Sequence, residues 1–105
     1  MIDHAQALEN FIVSLNENRF YDAHEDIEVL WFPRRFENDD EVKLLKGFIN
    51  AAVSFELVKK GRKEASQKVW KNYLKYKILL TKVSSQHIQK YKQISLHVED
   101  IHANF

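Results

Sequence analysis

Apolar residues recur at intervals of three and four along almost the whole chain, the period of a helix buried on one side. Ala5, Leu8, Phe11, Ile12 and Leu15 make the first such stripe, with Asp3 before it as a candidate N-cap and Asn16 to Asn18 ending it. A second stripe covers residues 20–32 and stops at Pro33, which has no N–H and pushes its predecessor out of helical geometry. Residues 33–40 read as a loop. Asp39 or Asp40 then caps a long third helix through Lys60, and Gly61 supplies the left-handed residue that commonly ends a helix. The fourth helix is predicted over residues 62–83, with Ala65, Val69, Tyr73 or Leu74, Tyr76 and Leu80 on its inner side, until Ser84 and Ser85 interrupt it. Residues 86–105 read as one or two short helices, the last capped by Ser95. Connections this short make neighbouring helices antiparallel, so the pattern predicts an all-α fold, a compact bundle of four to five helices, in a single domain over residues 1–105.

Composition agrees with long helices: two Gly and one Pro leave few breakers. The absence of Cys removes disulfides, thiol catalysis and thiolate metal ligands. The first residues lack the basic and apolar regions of a secretory signal, and no apolar run approaches the ~18 residues of a membrane span. A cytoplasmic protein with no membrane association is therefore expected.

Charge adds something the apolar pattern hides. Residues 1–56 carry five Lys or Arg against twelve Asp or Glu, a net −7, and residues 57–105 carry eleven against three, a net +8. Such a split predicts acidic and basic helices that face each other, either within the fold or across a homodimer. A basic surface for an anionic partner is the lesser reading. A protein- or nucleic-acid-binding module in the basic C-terminal half would use Lys68 to Lys77 with Trp70, Tyr73 and Tyr76, but these aromatics lie among the lysines at a spacing that suits core residues better than base-stacking ones. No DNA- or RNA-binding motif accompanies them, so nucleic acid is not an expected partner.

Candidate chemistry sits on the second helix. With Phe20 at zero on a helical wheel, Ala23, Ile27, Leu30 and Trp31 span an apolar arc from ~280° to ~20°. His24 falls beside that arc at ~40° and Glu28 at its edge near ~80°, with Tyr21 next to Glu28. An imidazole and a carboxylate one turn apart can reach each other. Burial beside the core obliges them to find partners, since an unpaired buried polar group costs about 1–3 kcal/mol. The third helix offers one. Lys46, Gly47 and Asn50 interrupt its apolar run, and Asn50 is expected to donate to Glu28 and accept from His24. Gly47 is expected to admit close approach of another helix, under Trp31.

Three uses of such a cluster are open. A satisfied polar network fixes helix register without any chemistry. A pocket for a small-molecule ligand, or a hydrolase-like acid/base site, would use His24 as general acid or base oriented by Glu28. Tyr21, Trp31 and Asn50 would line it, and Arg34 and Arg35 would recruit an anionic substrate. The spacing His24-Glu25-x-x-Glu28 also suits two ligands of a divalent metal. A third ligand is missing, because His4, His87, His97 and His102 are scattered and read as surface residues. No cofactor is therefore predicted.

The stretch Phe20-Tyr-Asp-Ala-His-Glu-Asp-Ile-Glu-Val-Leu-Trp31, followed by Leu45-Lys-Gly-Phe-Ile-Asn-Ala-Ala52, resembles the domain-of-unknown-function-309 family. That family is similar in its aromatic-x-Ala-His-Glu-x-x-Glu-x-x-Trp helix and its Gly-x-Ile-Gln-x-Ala helix, and the resemblance covers about residues 11 to 80. It implies a compact all-helical fold and assigns no chemistry. Asn50 stands where Gln is usual, and Leu57 where many members have His, which removes a further metal ligand.

Overall fold

A computed structural model describes residues 2–105, and the helices fall close to the apolar stripes. α1 spans His4–Asn16, and the Asp3 carboxylate caps it by accepting the Gln6 N–H at 2.7 Å. Asn18 follows in the left-handed region (φ 58°), a conformation that Asn tolerates better than most residues. α2 spans Phe20–Trp31. Pro33 does not open a loop at once, as the chain continues through a 3-10 turn over Phe32–Arg34, where the missing N–H is not required. α3 spans Asp40–Lys59, with the Asp39 side chain accepting the Glu41 N–H at 2.7 Å. Gly61 at φ 77° ends it, letting its own N–H and that of Arg62 return to the carbonyls of Val58 and Leu57.

Two expectations need correction in the second half. α4 spans Lys63–Lys77 and tightens into a 3-10 turn over Ile78–Thr81, well short of residue 83. The end of the chain is one helix, α5, over Ile88–Ala103, which is one of the two arrangements expected. Ser95 is no cap but lies inside α5, buried, with its hydroxyl bonded to Tyr73 and Glu99. Its polar side chain is retained for a neighbouring helix, which a local cap rule cannot anticipate.

α3 is the central helix, with α2 and α4 packed along its two sides, α1 beyond α2, and α5 closing the bundle against α1 and α3. Phe20 against Phe55 at one end and Lys46 against Trp31 at the other make α2 antiparallel to α3. Ser66 bonded to the Ser54 carbonyl and Tyr76 lying on Gly47 do the same for α4. Consequently α2 and α4 run parallel with α3 between them. The core gathers Phe11, Phe48, Phe55, Tyr73 and Tyr91 with the aliphatic residues of α1 and α3. Trp70 and Tyr73 belong to it, which accounts for two of the aromatics among the α4 lysines. Tyr73, and not Leu74, takes the inner position.

Gly47 serves a different neighbour from the one expected. A Cβ built on it would lie 2.8 Å from the Tyr76 Cβ, so its missing side chain admits α4 and not Trp31. Among the described residues there is no strand, and no helix is long and apolar enough to cross a membrane.

Candidate functional site

His24 and Glu28 do pair. His24 Nε2 lies 2.6 Å from a Glu28 carboxylate oxygen, as i,i+4 geometry allows. Their burial differs, with 24% of the His24 side chain exposed and 41% of that of Glu28. The imidazole is thus largely covered, and the carboxylate stands at the rim. The other imidazole nitrogen, Nδ1, is buried without a hydrogen-bond partner. Tyr21 meets the His24 ring edge-on, with ring centroids 5.7 Å apart, and is 56% exposed. Trp31 packs partly against the core, with the Lys46 ammonium 4.2 Å from its ring centre.

The remaining predicted residues lie elsewhere. Asn50 reaches neither His24 nor Glu28: its amide donates to the Lys46 carbonyl at 2.7 Å and its oxygen accepts from Asn72 of α4 at 3.3 Å. The approach of α4 over Gly47 turns that stretch of α3 toward the fourth helix. Arg34 is engaged with Glu37 and Glu41, each at 3.1 Å. Arg35 donates to the Phe32 carbonyl at 2.6 Å, and its guanidinium stacks on Phe32 and Phe36. The predicted set therefore divides into His24, Glu28, Tyr21 and Trp31 on α2, Asn50 at the α3–α4 seam, and two arginines around the following turn. Beside the pair are open depressions, one lined by Glu25, Glu28, Val29 and Phe32 and another that includes Tyr21 and Lys59, but His24 lines neither. Among the described residues no three His, Asp or Glu side chains are grouped to hold a metal ion.

A denser polar cluster lies at the other end of the bundle. The Glu41 carboxylate accepts from Tyr91 at 2.6 Å, Ser85 at 2.8 Å and Arg34 at 3.1 Å. The Tyr91 hydroxyl is also 2.7 Å from His4 Nε2, and the His4 ring stacks on His87 with centroids 4.0 Å apart. Burial by itself raises the Glu41 carboxyl, but the three hydrogen bonds outweigh it and hold the group below the ordinary carboxylate value. Burial, reinforced by His87, pulls His4 below the ordinary imidazole value. His4 and His87 are therefore partly covered and mutually stacked, not free surface residues. Contacts between residues 50 and 87 positions apart hold this cluster together, so no local spacing could reveal it.

These features define a class: a small all-helical domain on a central α3, with a paired His and Glu on the outer edge of α2. The chain belongs to the family described as Domain of unknown function (DUF309), whose model matches residues 8–69. That span holds His24, Glu28, Trp31, Gly47 and Asn50 and leaves Ser85, His87 and Tyr91 outside. No curated protein and no solved structure matches the chain.

Proposed function

We propose that the domain is a protein-docking module whose partner sits on the outer side of α2, over the His24–Glu28 pair. One observation carries this. Tyr21, Val29 and Phe32 point to one side of α2 and its extension and, with Phe36 in the next turn, are each at least 50% exposed. Apolar groups gathered this way and left in water mark interaction surfaces in soluble domains. Glu25 and Glu28 stand beside Tyr21 and Val29, while the Arg35 guanidinium lies over Phe32 and Phe36, so the α2 part of the patch is acidic as well as apolar and favours a partner that is basic and apolar there. In this role His24 is a positioning residue that holds the Glu28 carboxylate in one place.

An acid/base hydrolase-like site at His24 and Glu28, or a small-molecule pocket there, needs walls that enclose the pair. The separate engagements of Asn50, Arg34 and Arg35 favour docking over both. The cysteine-free composition suits a reducing compartment, which we take to be the cytoplasm.

A photo-crosslinking amino acid at Val29, with the same probe at exposed Gln93 of α5 as control, tests the proposal. A single recurring protein adduct, identified by mass spectrometry, is expected at position 29 and is lost with Glu28→Lys. Equal yields at the two positions, or an adduct that Glu28→Lys leaves intact, would refute it.

A further inference from the structure

The charge split of the sequence is neutralised only in part inside the fold: Lys90 of α5 pairs with Glu9 of α1 at 3.1 Å and Lys60 with Glu56 at 3.0 Å, but among the described residues α2 and α4 do not pair. α2 carries Asp22, Glu25, Asp26 and Glu28 with no Lys or Arg, and α4 carries five lysines with Glu64 as its one acid. α3 stands between them, and among the described residues no ion pair joins α2 to α4. Glu25, Lys68, Lys71 and Lys75 enter no ion pair among the described residues and are exposed. Asp22, Asp26 and Lys77 have found partners on their own side, in Arg19, Ser14 and Glu99.

The three helices share an outer face. Along α3 the partly exposed residues Lys46, Asn50, Val53 and Leu57 recur at intervals of four, three and four, which makes one stripe. Lys46 reaches Trp31 on α2, and Asn50 reaches Asn72 on α4, so the stripe forms the floor between the two flanking helices. One edge of the face, on α2, is acidic with Tyr21. The other, on α4, is basic, with Lys68 and Lys75 on the side that carries Asn72. Val53 and Leu57 supply an apolar centre.

We propose that two copies of this chain pair through this face, about a two-fold axis running along α3. The inference rests on the docking role of α2 and names its occupant. An axis along α3 lays α2 of each copy on α4 of the other, acid on base, twice over. The alternative two-fold in the same plane, across α3, lays α2 on α2 and α4 on α4, which sets like charges together. A closed, self-complementary contact needs only one such axis. Height along α3 is unchanged by this rotation. Phe20 and Ser66 share one level, beside Phe55 and Ser54, and Trp31 and Tyr76 share another, beside Lys46 and Gly47. Interpolating between those levels, Glu25 of one copy meets Lys68 and Lys71 of the other, and Glu28 meets Lys71 and Lys75. Val53 and Leu57 pack near the axis.

Charge reversal tests this with the full chain, by sedimentation equilibrium at low salt. The wild type should dimerise at sub-millimolar concentration, with a Kd that rises steeply with salt. Glu25→Lys with Glu28→Lys should weaken it at least tenfold, and so should Lys68→Glu with Lys75→Glu. Glu25, Lys68 and Lys75 are exposed, so the lysine reversals and Glu25→Lys alone should barely move the melting temperature, which separates lost pairing from lost folding even if Glu28→Lys, at the rim beside His24, lowers it. Mixing the two reversed chains restores acid on base at both contacts, and a heterodimer of near wild-type affinity should form. A wild type that stays monomeric, a dimer indifferent to either reversal, or reversed chains that fail to pair would each overturn the proposal. A monomeric chain whose Val29 probe still captures a different protein would remove the second copy as occupant while leaving the docking role intact.

Discussion

Replacing Gly47 by Ala gives the most direct measure of how tightly α4 is seated on α3. Inside a helix the change alone should help by about 1 kcal/mol, because Ala loses less backbone freedom than Gly. Here the new methyl would lie 2.8 Å from the Tyr76 Cβ, against the ~3.5–4.0 Å at which two carbons are comfortable. Either α4 backs away by roughly 0.7–1.2 Å or strain stays in place, and a Cβ cannot swing aside as the end of a long side chain can. Overpacking of this kind costs about 1–3 kcal/mol, and two effects shift the net: the helix-propensity gain subtracts, while displacement of buried Trp70 and Tyr73 adds. We expect a net loss of about 1–2 kcal/mol, a fall in melting temperature of about 4–16 °C for a domain of this size. Urea unfolding followed by circular dichroism reads both. In a Tyr76→Gly background the clashing Cβ is gone, and Gly47→Ala should then stabilise by about 1 kcal/mol, an inversion of sign that a double-mutant cycle isolates. A Gly47→Ala protein as stable as the parent would refute the close-approach explanation.

Acid should destabilise the protein over two overlapping pH ranges. His4, held below the ordinary 6.5, resists protonation in the fold, so the unfolded chain takes up the proton first and stability declines as pH falls below 6.5. Glu41, held below its ordinary 4.5, contributes stability that is complete above that value and is lost as pH falls through its lowered folded value. Urea titrations between pH 8 and pH 3, values chosen to bracket both groups, should show both slopes, and a flat profile would count against the cluster. Tyr91→Phe removes the hydroxyl that Glu41 and His4 share, and should cost about 1–3 kcal/mol at neutral pH with a smaller acid slope. His24→Leu removes a buried nitrogen with no partner together with a pair half open to water, so stability should change by less than about 1 kcal/mol. A loss above about 2 kcal/mol would instead assign His24 to a structural network.

Apolar spacing along the chain was enough to determine the helices, because a stripe at intervals of three and four can be buried only by a helix. Caps at Asp3 and Asp39 and the stop at Gly61 were equally legible, since each acts within a few residues of itself. The His24–Glu28 pair followed for the same reason, being joined by one helical turn. What spacing cannot carry is which side of a helix meets which neighbour. Asn50 and Gly47 face α4 instead of α2, and Ser95 serves Tyr73 in place of a helix end. The Glu41 cluster draws on α1, α3, α5 and the turn before it, joined by contacts too distant in sequence for any local rule. Charge shows the division most clearly: acidic and basic halves are written in the sequence, but only the placement of α3 between α2 and α4 decides that these two helices do not pair within one molecule.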